Sequence, residues 1–185
     1  MSLQEKYPKA AKMWPEADWI SDENLREKVL QVWEYALDNS PLTPEDLEEI
    51  PFTLLVKDLK VSFMMHKRAV VHVSVAAAKE IKNQFGDELP IDLDILTAAA
   101  ILVDVGKLLE YDREEGKLVT SETGKVLRHT FSGAGLAMKF DLPPRVVHAI
   151  AYHSKEGDMA KRTPEGYILH HVDFMTFEPF KDHLW

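Results

Sequence analysis

The chain of 185 residues contains no cysteine. That removes disulfides, thiolate nucleophiles, zinc–thiolate sites and iron–sulfur clusters from consideration. Any bound metal must be held by His, Asp or Glu, and eight histidines are available. Long apolar runs are also missing: none approaches the ~20 residues that span a bilayer. The N-terminal MSLQEKYPKAAKMWPEADW has no apolar centre of the signal-peptide kind. A cytoplasmic protein with no membrane partner is therefore expected. Cations are in deficit, with 22 Lys and Arg against 31 Asp and Glu and a net charge of −9. Binding to nucleic acid polymers or anionic membranes is disfavoured, whereas a small anionic substrate met by local Lys or Arg is compatible with this balance. Glycine is sparse, and no glycine falls in a G-x-G-x-x-G or G-x-x-x-x-G-K-[ST] phosphate loop. Repeats, low-complexity tracts and Gly/Ser linkers are absent as well.

What is present is a series of helix signals. Ser21 is placed to cap a helix through ENLREKVLQVWEYALD, in which Leu25, Val29, Val32, Trp33 and Leu37 share a face. Thr43-Pro44 starts a short helix. A long apolar-patterned segment runs from Val56 to Phe85 and closes at Gly86. Its AVVHVSVAAA stretch alternates like a strand, but its length and its Met and Ala flanks favour helix. Asp92 caps a helix through LDILTAAAILVDV, with Gly106 suited to the turn that stops it. Residues 108–119 read as a charged hairpin or loop. Thr120 opens a helix loosened around Gly133 and Gly135. Pro143-Pro144 and Thr163-Pro164 start the last two. The expected fold is all-α, a compact orthogonal helical bundle.

Five ionisable residues stand in apolar surroundings: His72, Asp104, His129, His153 and Asp173. A buried carboxylate needs a partner. Two acids and three histidines on inward faces satisfy one another around a divalent cation, with nitrogen and oxygen donors suited to Fe, Mn, Co, Ni, Zn or Mg. Singly, each has a plainer explanation, such as a core histidine, a helix-end carboxylate paired with Lys107 or Arg68, or a histidine at a helix C-terminus. Together, and in this order, one shared site is the simpler account.

The order of these residues resembles the HD-domain superfamily of metal-dependent phosphohydrolases, whose pattern is H…HD…D with two further histidines between the pair and the last Asp. The likeness runs from about Arg68 to Phe174. His72 matches the first His, and Asp104-Val105-Gly106-Lys107 matches the D-x-G-K after the pair. His129 and Gly133 match H-x-x-x-G, His153 the histidine after A-I-x-x-H, and Asp173 the last Asp of Ile168-Leu169-His170-His171-Val172-Asp173. The pair itself reads Val103-Asp104, a departure that removes one nitrogen ligand. The resemblance implies metal ligation by His72, Asp104, His129, His153 and Asp173, with one weakened or single site. His170, one turn before Asp173, is the best substitute for the lost histidine. His66 lies on a different face from His72, and His171 points elsewhere. His148 and His183 read as surface residues.

Residues 56–185 form the HD-like domain of this reading, and residues 1–55 a helical extension packed on it. Asp104 and Lys107 carry the implied catalysis, with Lys107, Arg68 and Arg128 meeting the phosphate of a small phosphate ester or nucleotide. Two alternatives remain. One is a catalytically degenerate HD-like module that binds a ligand or protein. The other is an HD-fold di-iron oxygenase. The aromatic ends, MWPEADW and FMTFEPFKDHLW, either fold over the core or form a homodimer contact.

Overall fold

A computed structural model describes residues 1–182. His183 and Trp185, part of the aromatic tail, lie outside the described residues. The chain forms α1 (Leu3–Lys6), α2 (Pro8–Met13), α3 (Glu23–Asp38), α4 (Pro44–Glu49), α5 (Phe63–Phe85), α6 (Leu93–Leu102), α7 (Lys107–Glu110), the antiparallel pair β1 (Tyr111–Glu114) and β2 (Lys117–Thr120), α8 (Glu122–Val126), α9 (His129–Lys139), α10 (Pro144–Tyr152) and α11 (Pro164–Asp182). No helix among the described residues is long and apolar enough to cross a membrane.

α6 is the centre of the bundle. Every residue from Ile95 to Leu102 is buried, because α3, α5, α10 and α11 pack around it. A helix enclosed on all sides must be apolar all round, which accounts for the run ILTAAAIL. α5 buries one stripe instead, formed by Phe63, Met64, His66, Lys67, Val70, Val71, Ser74, Val75 and Ala78. The N-terminal helices share the same hydrophobic cluster. There Trp14, fully buried, lies 5.1 Å from Trp33, and the Asp94 carboxylate of α6 accepts from Ser21 N and Asp22 N at 2.9 Å each.

Several boundaries differ from the sequence expectation. Asp22, not Ser21, caps α3, its carboxylate accepting from Asn24 N and Leu25 N. α5 begins at Phe63 behind the Ser62 cap, so Val56 lies in an irregular stretch before it. α9 runs unbroken through Gly133 and Gly135, and the break comes earlier, at Leu127 and Arg128. The hairpin over 111–120 is present, preceded by the single turn of α7.

The C-terminus of α6 is held from several directions. A helix C-terminus leaves four carbonyls without intrahelical partners, and here all four are taken. Val103 N donates to Ala99 O, the Lys67 ammonium to Ala100 O at 2.9 Å, the Trp33 indole to Ile101 O at 3.1 Å, and Val105 N to Leu102 O. Asp104 then turns the chain in the left-handed region, with φ 68°, a conformation Asp tolerates better than most residues. Gly106 does not make this turn, since its φ is −62°. It is required by close approach: a Cβ there would lie 2.2 Å from His129 O and 2.7 Å from Gly133 N. Gly124 is required in the same way, since a Cβ there would lie 2.4 Å from Glu110 O.

Candidate functional site

Four elements converge where α6 ends. Asp104 comes from the turn after α6, His129 from the first residue of α9, His153 from the end of α10, and His66 and Asp173 from the facing sides of α5 and α11. Two groups share Asp104. Ligand atoms of Asp104, His129 and His153 lie within 4.8 Å of one another, as do those of His66, Asp104 and Asp173.

Hydrogen bonds orient the rings. His129 Nδ1 lies 2.7 Å from Glu110 Oε2, which also accepts from His129 N at 2.7 Å. His153 Nδ1 lies 2.7 Å from Ile150 O, a pure acceptor, so this nitrogen carries the proton. Both Nε2 atoms are then free to present lone pairs, and both face Asp104 Oδ1, at 3.2 and 3.7 Å. Lone pairs facing a carboxylate oxygen call for a cation or a proton between them. Asp104 is 2% exposed, and its other oxygen, Oδ2, is buried without a hydrogen-bond partner among the described residues. An all-N,O donor set around an orphaned buried carboxylate oxygen fits a divalent cation.

Fixed positive charge surrounds the acids. Lys107 Nζ is 3.2 Å from Asp104 Oδ1 and donates to Phe52 O at 3.1 Å. Lys67, wholly buried, adds a second ammonium close enough to act on Asp104 and Asp173. Burial raises the Asp104 pKa, but the Lys107 ammonium, with Lys67 behind it, outweighs burial and holds the carboxyl well below its usual range. Burial pushes Lys67 down to about 8, while the Asp104 charge outweighs burial at Lys107 and raises it. Burial holds His129 below its ordinary value and Tyr111 above it, so the imidazole stays neutral and the phenol protonated.

The cluster forms the floor of a cavity of about 390 Å³. The sequence expectations divide around it. Asp104, His129, His153, Asp173 and Lys107 come together. His72 does not, and the expectation for it is corrected. It is half exposed, pairs with Glu16 at 3.0 Å and meets Trp19 edge-on, while His66 occupies the inward position 3.1 Å from Asp173. The six-residue offset does place the two histidines on different faces. The inward face is the one that carries Val70 and Ser74, one and two turns after His66. Arg68 also points away, pairing with Glu48 at 2.8 Å on the surface. Arg128 lines the cavity rim, 3.9 Å from both Glu110 and Glu156. His170 stands behind the floor, its Nδ1 2.7 Å from His153 O, and supports the His153 backbone rather than reaching the cluster. Val103 is fully buried in the hydrophobic core. His171 is exposed, and His148 is half-buried against Tyr152.

Sequence reasoning missed His66, Lys67, Glu110 and Tyr111. The α5 stripe carried a signal for the first two, because residues 63, 66, 67, 70, 71, 74, 75 and 78 follow helical spacing. Glu110 stood in a stretch read as charged loop, where an acid is unremarkable.

A family model described as HD domain matches residues 64–176, more than half of the chain, from the first turn of α5 to Thr176 in α11. No curated protein and no solved structure matches the chain significantly.

Proposed function

Because the chain belongs to the HD-domain family, we propose that it is a metal-dependent phosphohydrolase and cleaves a small phosphate ester at the Asp104 cluster. Asp104, His129 and His153 would hold a divalent cation, and His66 and Asp173 extend the donor set across the shared Asp104. A cation held there supplies Lewis acidity toward a phosphoryl oxygen and makes water acidic enough to attack at neutral pH. Glu110 and the Ile150 carbonyl keep both histidines in the tautomer that offers Nε2. The Lys107 ammonium, held charged beside Asp104, stabilises negative charge developing on the phosphoryl group. Arg128 at the rim meets the incoming phosphate. Val103 stands where the resemblance places a histidine, so one weakened or single cation is assigned rather than two.

The observation that carries this reading is the buried carboxylate of Asp104, with one oxygen unpartnered and two imidazole lone pairs turned toward the other. The test is a panel of phosphomonoesters and nucleotides assayed with Mn, Co, Ni, Fe and Mg. Cation-dependent phosphate release that disappears in Asp104→Asn supports the proposal, and no release with any cation sinks it. A second reading, a ligand-binding module without turnover, draws on Lys67 and Lys107. Two resident ammonium groups already balance Asp104 and Asp173. Tight phosphate binding without added cation and without turnover would favour it.

A further inference from the structure

We propose that the cavity selects a phosphomonoester whose alcohol part carries a flat apolar group, and that Leu54, Leu55 and Phe177 form the subsite for that group. This rests on the reading of the floor as a phosphohydrolase site. The cavity has two unlike sides. Arg128, Ser154, Lys155 and Glu156 line one of them. Phe52, Leu54 and Leu55 of the stretch between α4 and α5 line the other, together with Phe174 and Phe177 of α11, whose charged Glu178 and Lys181 also line the cavity.

The apolar side is tied to the floor at two points, both through Phe52, and is braced within itself by two further rings. The Phe52 carbonyl takes the Lys107 ammonium at 3.1 Å. The Phe52 ring stacks on His66, 4.1 Å between centroids and 15° between planes. Phe177 and Phe180 each meet the same ring edge-on at 6.1 Å. A wall anchored through a cluster residue and a catalytic lysine stands at a fixed distance from the reacting phosphate. It leads outward to Leu54 and Leu55, which are 42% and 78% exposed. Apolar area left at the mouth of a cavity that continues into a reactive floor is the pattern of small-molecule sites, which take an apolar body and fix one polar end. At 390 Å³ the cavity falls within the roughly 300–1,000 Å³ of such sites. A phosphate bearing only a short polyol would leave the wall in water. A ring of naphthyl size covers it while its phosphate reaches Lys107.

The test compares 1-naphthyl phosphate with glycerol 3-phosphate in kcat/KM, with Mn present. In parallel, calorimetry compares 1-naphthylphosphonate with methylphosphonate, which need no turnover. The expected preference for the naphthyl compound is about tenfold or more in both. Leu54→Ser/Leu55→Ser, changed at exposed positions that leave the fold intact, cuts that preference at least threefold. Phe85→Ser, an exposed apolar change at the end of α5, nineteen residues along the helix from His66, leaves it as it was. A wild-type ratio near one in the phosphonate pair, or a ratio unmoved by the double variant, overturns the subsite. If neither ester is hydrolysed but the phosphonate preference and its loss in the double variant remain, the subsite stands and the hydrolytic reading fails.

Discussion

Gly106→Ala isolates the contact that sets the geometry of the site. The added Cβ meets His129 O at 2.2 Å, Ser132 Oγ at 2.5 Å and Gly133 N at 2.7 Å. Two of these are backbone atoms, which no rotamer change moves. Ordinary contact begins at about 3.4 Å, so the first turn of α9 must retreat by about 1 Å from the turn after α6. Overpacking of this kind costs about 1–3 kcal/mol, and obstruction by backbone places the cost at the upper end. For a chain of this size, 3 kcal/mol lowers Tm by roughly 6–12 °C. The same retreat carries His129 away from Asp104, which lies 3.2 Å from its Nε2, so divalent-cation binding is lost as well. Gly116→Ala is the comparison. It sits at the hairpin tip with φ +78° and nothing within 4 Å of a Cβ, so it costs about 1–2 kcal/mol in backbone strain and leaves cation binding unchanged. Thermal melts and metal analysis on both variants decide the matter. A Gly106→Ala protein that melts within about 2 °C of wild type and still binds the cation would refute the close-packing argument.

Metal analysis of His66→Ala should show loss of cation relative to wild type, with none lost in His72→Ala; the reverse pattern would restore His72 to the cluster. Glu110→Gln removes the charged acceptor of His129 and should weaken cation affinity about 10–100-fold in a calorimetric titration, with an unchanged affinity counting against its orienting role. Lys67, held at about 8 in the folded chain against 10.5 when free, gives up its proton first in the native state. Between those values the unfolded chain binds more protons, so stability rises with pH by up to about 3 kcal/mol. Denaturant titrations from pH 7.5 to 10.5 should show this rise in wild type and its absence in Lys67→Met.

The sequence exposed its helices where local chemistry decides them. Thr43, Asp92 and Pro144 mark starts that hold to the residue, because a cap or a first-turn proline acts within one turn. Asp104, His129, His153 and Asp173 were legible as polar residues in apolar settings. His66 was not, because it falls on a different helix face from His72, which stands between two valines and matches the first His of the family pattern. Lys67 is buried only because α6 ends beside it and offers the Ala100 carbonyl, a partner supplied by packing and not by neighbours in sequence. Gly106 was misread for the same reason. It resembled a helix stop, but Asp104 takes the left-handed turn and Gly106 yields space to α9.

The central claim is that Asp104 sits in the core to hold a cation. Metal analysis after equilibration with Mn and gel filtration, on wild type beside Asp104→Asn, tests it most directly. The account predicts about one retained equivalent in wild type and none in the variant. Equal metal in both proteins, or none in either, would contradict it.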